Sequence, residues 1–189
     1  MRRLDPERRD RIIAAATDSI AQEGVSGTSH RKVAVRADVP LGSMTYHFSS
    51  MDDLLTEVFT AFAATISTEF EARMAAAETP AAALDQIVDL IHSDLQRSKR
   101  EHVLTYELYT LAARRADFRS ITEQWMQASR AALERHFEPD VARALDAYIE
   151  GTALHIALDT RPQNRELTRA ALHALTNSSS IHERSKIAS

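Results

Sequence analysis

The chain contains no cysteine. Disulfides and thiolate metal sites are therefore excluded, and a reducing compartment fits. Glycine and proline are scarce, with four and five among 189 residues. Sheet proteins need more turns than that allows, and alanine is abundant, so helix is the favoured state. No apolar run reaches the roughly 18 residues that a membrane span requires. Met1-Arg2-Arg3 is positive, but no apolar stretch follows it, so it does not read as a secretion signal. A cytoplasmic protein is expected. Catalytic signatures are missing too. There is no nucleophile with its base, no glycine-rich phosphate loop and no metal-ligand spacing. Glu69/Glu71 and Asp52/Asp53 read as solvated carboxylates and helix-start charges. Neither enzyme activity, nor a cofactor, nor a metal is expected.

An overall basic surplus is also lacking, since net charge is −4. Its distribution is uneven. Residues 1–50 carry eight Lys/Arg against six Asp/Glu, while residues 51–189 carry 15 against 21. Screening limits the reach of charge to about 10 Å at cellular salt, so a local surplus is what a polyanion meets.

A hydrophobic fraction of 44% suffices for a real core, and its pattern is helical. Ile12, Ile13, Ala16 and Ile20 stripe a first helix over about 6–23, with Asp5 and Pro6 at its start and Gly24 at its end. Arg2, Arg3, Arg8, Arg9 and Arg11 cluster near its beginning, either as a solvated arm or as phosphate and minor-groove contacts. Further stripes fall on Leu55, Val58, Phe59, Phe62, Ile66 and Phe70, then on Leu84, Ile87, Val88, Ile91 and Leu95. A charged break spans Gln96 to Glu101. Leu104, Leu108 and Leu111 mark a sixth helix. Asp117 reads as the cap of a seventh, carrying Phe118, Ile121, Trp125, Ala128 and Ala132. An eighth runs over about 141–159 and a ninth over about 165–176. The eighth is apolar on more than one face, as a deeply buried or partner-covered helix would be. Gly151 at its middle allows close approach of another helix.

The segment Ser29–Leu55 carries the most information. Ser29 can cap a short second helix with Val33, Ala34 and Ala37 facing in, and Arg31, Lys32 and Arg36 facing out. Asp38-Val39-Pro40 breaks it, because a residue before proline avoids helical backbone. A third helix over Leu41–His47 follows, with Met44 and Phe48 on its inner side. Ser50 then caps a long fourth helix. A short bracing helix, a tight break and a second short helix form the layout of a helix-turn-helix, whose second helix enters the major groove of DNA.

Each exposed residue there has a chemistry suited to that task. Ser29 and His30 open the second helix. Arg31 can pair with phosphate or reach a guanine edge through two hydrogen bonds. Leu41 has two readings, an apolar contact to a thymine methyl and simple packing. Gly42 removes a side chain and lets backbone approach. Ser43 and Thr45 are short enough for close approach to bases. Tyr46 can stack on sugar or methyl and bond phosphate, and His30 and His47 read as neutral donors rather than metal ligands.

These features resemble the TetR family of bacterial transcriptional regulators. The resemblance rests on Gly24, the Ser29-His30-Arg31-Lys32-Val33-Ala34 helix start, the Val39–Phe48 turn and recognition helix, and the Ser50–Leu55 start of the fourth helix. More narrowly, Pro40-Leu41-Gly42-Ser43-Met44-Thr45-Tyr46, Tyr106-Glu107-Leu108-Tyr109, Arg143-Ala144-Leu145-Asp146-Ala147 and Glu150-Gly151 are similar to the RcdA type. Two positions depart from the broad pattern. Thr45 replaces a usual tyrosine, and Met51 replaces a usual lysine that often meets phosphate.

The resemblance implies an all-α fold of about nine helices. It divides into a helix-turn-helix domain at 1–50, a ligand-binding and dimerisation domain at 51–177 and a disordered tail at 178–189. It implies a repressor that binds a palindromic operator as a homodimer and is released by a small-molecule effector. Phe59, Phe62, Thr65, His92, Tyr106, Tyr109, Trp125 and Met126 are the candidate effector contacts. Leu145, Tyr148, Gly151, Thr152, His155, Leu167, Ala171 and Leu175 are the candidate dimer contacts. A ligand-independent regulator and a helical protein–protein adaptor are the alternatives.

Overall fold

The computed structural model describes residues 7–94 and 99–177. Among these the architecture is all-α, without strands. The elements are α1 Arg8–Gly27, α2 His30–Arg36, α3 Leu41–His47, α4 Met51–Ala76, α5 Pro80–Asp89, α6 Lys99–Ala112, α7 Ala116–Leu133, α8 Pro139–Leu158 and α9 Arg165–Asn177. One π-helical turn, Leu90–Asp94, follows α5. Arg2, Arg3, Asp5, Pro6, Leu95, Gln96 and the tail at 178–189 lie outside the described residues.

Three helix starts, those of α2, α4 and α5, follow from local capping chemistry. The Ser29 hydroxyl accepts the Lys32 N–H at 3.4 Å. The Ser50 hydroxyl accepts the Asp53 N–H at 3.1 Å, while the Asp53 carboxylate accepts the Ser49 N–H at 2.9 Å. Thr79 Oγ1 accepts the Ala82 N–H at 3.1 Å, with Pro80 as the first helical residue. Each satisfies a backbone donor that the helix leaves open. Two expectations change. The charged break is shorter than the sequence suggests, because α6 already begins at Lys99. Asp117 is not a cap but lies inside the first turn of α7, where its charge suits the positive end of the helix dipole.

The end of α1 depends on glycine. Gly24 has φ 73 and ψ 172 inside the helical span, a region open essentially to glycine alone. One further turn carries the chain to Gly27. The Thr28 hydroxyl closes this corner, 2.9 Å from the Gly24 carbonyl.

The chain divides into two compact units. The first comprises the described residues of Met1–Thr65 and Val103–Glu123. Within it α1 packs on α2, and α2 on α3. Ile12, Ala16 and Ile20 of α1, Val33 and Ala34 of α2, Met44 and Phe48 around α3, and Leu54, Val58 and Phe59 of α4 are all buried. Phe59 meets Phe118 edge to face at 6.1 Å. The Arg9 guanidinium lies over the Phe48 ring at 5.4 Å and pairs with Glu57 at 2.8 Å. Arg9 is thus partly occupied within the protein.

The second unit comprises the described residues of Ile66–His102 and Gln124–Ser189. Phe70, Met74, Leu84, Ile87, Val88, Ile91, Leu133, Val141, Leu145 and Leu172 form its core. Polar ties fasten α9 to α5 and the π-helical turn. Arg165 pairs with Asp89, and Arg169 with Asp85 at 2.8 Å. His92 Nε2 lies 3.0 Å from Thr168 Oγ1. The Thr168 proton goes to the Asn164 carbonyl at 3.1 Å, so the His92 ring is the donor between the two. Burial, and then the nearby Arg165 charge, lower the His92 pKa from 6.5.

Two outcomes follow. Gly24→Ala is expected to destabilise the fold by about 1–3 kcal/mol through backbone strain. An added Cβ would also sit 2.6 Å from Glu107 Oε1, but that side-chain end can swing away. Combining Gly24→Ala with Glu107→Ala in thermal denaturation should therefore leave most of the loss, and full recovery would contradict the strain argument. For His92, a pKa lowered by folding means that the folded state binds fewer protons than the unfolded chain. Stability should then rise with pH through the window below 6.5 and fall on acidification there. His92→Gln should flatten the melting temperature between about pH 7 and pH 5, where histidine titrates. An unchanged slope would assign the effect elsewhere, for example to His102, whose pKa burial also lowers.

Candidate nucleic-acid interface

A seven-residue helix cannot hold itself in water, so the turn before α3 and the residues beneath it set its orientation. Asp38 adopts φ 52, the left-handed region that aspartate tolerates better than most residues. The Val39 N–H then donates to the Ala34 carbonyl at 3.0 Å, and the Ser43 N–H to the Pro40 carbonyl at 2.8 Å. These bonds fold α3 back against α2.

Two side chains fix the rotation of α3. Met44 and Phe48 are 0% and 1% exposed. Leu41, Gly42, Thr45 and Tyr46 then form the outward face, with Leu41 54% and Tyr46 84% exposed. Ser43 departs from the sequence expectation. It turns inward beside Met44, only 4% exposed, and its hydroxyl has no hydrogen-bond partner among the described residues. A small polar residue reads as surface in a sequence, but the anchors on either side of it decide. Thr45 is exposed, yet its hydroxyl donates to the Gly42 carbonyl at 3.2 Å. The Tyr46 ring meets the half-buried His47 edge-on at 5.0 Å. A Cβ added at Gly42 would meet nothing within 4 Å.

On α2, Ser29 and Arg31 are exposed. His30 is half-buried, with Nε2 buried and without a hydrogen-bond partner among the described residues. The three cations of this helix differ. Lys32 donates to Glu23, whose pKa it lowers, and to the Gly27 carbonyl at 2.7 Å. Arg36 donates to Gln22 at 2.8 Å. Arg31 enters no ion pair among the described residues. Sequence reasoning treated all three as outward cations, and among the described residues Arg31 alone of the three has no such partner. It also missed Val35, which is 77% exposed on the same helix.

A second feature had no local signal. Arg115, between α6 and α7, bonds Asp52 in the first turn of α4 at 2.8 Å and Asp117 at 2.6 Å. Its guanidinium lies over Phe118 at 4.6 Å. This corner ties the start of α4, which follows the recognition helix, to a segment more than 60 residues away in sequence.

The candidate effector contacts are split between the units. Phe59, Phe62, Thr65, Tyr106 and Tyr109 belong to the first, and His92, Trp125 and Met126 to the second. Phe59 and Trp125 are buried, and Thr65 is exposed with its hydroxyl bonded to the Ala61 carbonyl. Phe62, His92, Tyr106, Tyr109 and Met126 are half-buried. Among the candidate dimer contacts, Gly151, His155 and Leu167 are exposed. Tyr148, Thr152, Ala171 and Leu175 are half-buried. Leu145 is 0% exposed within its own unit's core, so packing rather than a partner accounts for it. No cluster of three His, Asp or Glu suited to a metal occurs among the described residues. No helix among them is long and apolar enough to cross a membrane.

A helix-turn-helix whose second helix is anchored by one face and bare on the other defines a DNA-binding regulator. The chain belongs to the tetR family of bacterial regulatory proteins, whose N-terminal model matches residues 12–58. A tetracyclin repressor-like C-terminal domain matches residues 78–178. Solved relatives agree over nearly the whole chain. SCO7518 from Streptomyces coelicolor A3(2), assigned as a transcriptional regulator, is 49% identical. The match covers 90% of this chain and 99% of that one, with a TM-score of 0.85. The multidrug binding protein EbrR, solved with ethidium, is 36% identical over 90% and 99% of the two chains, with a TM-score of 0.77. SCO1917 from Streptomyces coelicolor A3, a member of the TetR family, is 35% identical over 90% and 99%, with a TM-score of 0.71. No curated protein matches the chain.

The open space at Gly42 gives a prediction. Gly42→Ala should raise thermal stability by about 0.5–1 kcal/mol, since alanine is the better helix former and meets no neighbour. A lower melting temperature would mean that this face is covered within the protein.

Proposed function

We propose that the chain is a cytoplasmic transcriptional repressor that binds a palindromic operator as a homodimer, and that a small molecule held by its C-terminal helices releases it. The observation that carries this reading is the bare outer face of α3, presented by buried Met44 and Phe48. Arg31, an exposed cation that enters no ion pair among the described residues, stands beside it on α2. Ser29, Tyr46 and His47 supply donors for the flanking phosphates, while His30 keeps its Nε2 buried. Ser43 contributes through position rather than through an exposed hydroxyl.

The homodimer reading is supported by apolar residues left uncovered on the last two helices. Leu154, Leu158 and Leu167 are 41%, 73% and 68% exposed, and Gly151 has open space beside it. A second copy covering this surface would pair two recognition helices about 34–36 Å apart, one turn of DNA. The effector reading draws on EbrR, a multidrug binding protein solved with ethidium, proflavin and malachite green. The narrower RcdA-type resemblance belongs to the same proposal. An effector that prefers a differently spaced dimer lowers DNA affinity by its preference, commonly 1–3 kcal/mol.

The test starts from duplexes recovered by the purified chain from a random-sequence library. These should be palindromic, and affinity should fall steeply with salt. Arg31→Ala should weaken binding by about 1–3 kcal/mol if it reads a base. Unchanged affinity in a gel-shift titration removes Arg31 from the interface. Failure to recover any preferred duplex overturns the whole reading.

A further inference from the structure

We propose that this chain reads its half-site mainly through thymine methyl groups, met by Leu41 and by the Thr45 methyl, with a guanine read by Arg31. The proposal rests on the DNA-binding reading above and specifies the sequence chemistry that the same face accepts.

The chemistry of base edges decides. In the major groove, guanine is read by the paired donors of arginine or by lysine, adenine by asparagine or glutamine, and cytosine by a carboxylate. Thymine alone carries an apolar group, its 5-methyl. The sequence of α3 is Leu-Gly-Ser-Met-Thr-Tyr-His, with no arginine, lysine, asparagine, glutamine, aspartate or glutamate. The helix that enters the groove therefore has no side chain able to read an adenine or cytosine edge in this way.

Its outward face carries apolar groups, the Leu41 side chain and the Thr45 methyl, beside the Tyr46 ring. Leu41 and Thr45 lie four residues apart, one above the other on that face. Thr45 spends its hydroxyl proton on the Gly42 carbonyl, so toward a ligand it offers its methyl and an oxygen that can only accept. Gly42 sits beside Leu41 with open space around it, which lets the helix come close enough for methyl contact. Apolar exposure supports the assignment. Of the six large hydrophobic residues exposed on the described chain, Val35, Leu41 and Tyr46 lie on α2 and α3. The other three, Leu154, Leu158 and Leu167, lie on α8 and α9. Such surface is retained where a partner covers it. Among the cations of α2, Lys32 and Arg36 are held by α1 residues, which leaves Arg31 for the guanine.

The experiment replaces thymine by deoxyuridine, which removes the 5-methyl and keeps Watson–Crick pairing. The full chain is titrated by fluorescence anisotropy against a duplex recovered from the random library, with each half-site thymine replaced in turn. Loss of one contacting methyl should weaken binding about fourfold, as expected for one buried methyl group. Replacing the contacted pair in both half-sites should weaken it at least tenfold. Leu41→Ala should bind the thymine duplex more weakly and no longer distinguish it from the uracil duplex at one position. Thr45→Ser, which keeps the hydroxyl and removes only the methyl, should lose the distinction at another. Equal affinity of the wild-type chain for both duplexes overturns the methyl proposal while leaving DNA binding intact. Uracil sensitivity that persists undiminished in both variants also overturns it, because duplex flexibility then explains the effect. If no duplex is recovered, the DNA-binding reading itself fails.

Discussion

The burial of Met44 and Phe48 is the constraint on which the rest of the DNA-binding unit depends. Helix nucleation is too costly for seven residues to persist alone, so α3 exists because Met44 within it and Phe48 just past its end are sunk in the core of the first unit. Those anchors also fix which residues are free. With Met44 and Phe48 turned in, Leu41, Gly42, Thr45 and Tyr46 must turn out. Fold and presentation are thus one event. The left-handed backbone at Asp38 and the Val39-to-Ala34 hydrogen bond place the helix, and the anchors set its rotation.

Electrostatics then sorts the cations. A chain of net charge −4 must concentrate positive potential locally if it is to meet a polyanion. Lys32, Arg36 and Arg9 are held by Glu23, Gln22 and Glu57, which stiffens the packing of α1 against its neighbours and removes these groups from the ligand's share. Such exposed pairs contribute little stability singly. Arg115 works similarly at the other end of the recognition unit, where Asp52 and Asp117 bind it and Phe118 lies beneath it.

Much of the fold could be read from sequence because the helix starts are written in capping chemistry. Ser29 and Ser50 each mark a boundary that the structure keeps, and the stripe Leu84, Ile87, Val88 and Ile91 is buried throughout. What escaped was set by tertiary context. The inward turn of Ser43 depends on neighbours that outweigh its polarity. Leu145 read as a partner contact because α8 is apolar on several faces, and only packing shows which face the core takes. The π-helical turn after Asp89 has no sequence signal that we recognise. The Arg115 corner joins residues too distant for spacing to reveal. That Lys32 and Arg36 are occupied, while Arg31 has no ion pair among the described residues, depends on where α1 lies.

The central claim is that the outer face of α3 is where duplex DNA is held. Hydroxyl-radical footprinting of the protein, read residue by residue by mass spectrometry, tests it most directly. On saturation with a recovered palindromic duplex, Tyr46 and Leu41 should lose most of their oxidation, while Leu154, Leu158 and Leu167 should be equally protected with and without DNA. Undiminished oxidation of Tyr46 in the saturated complex would contradict the claim.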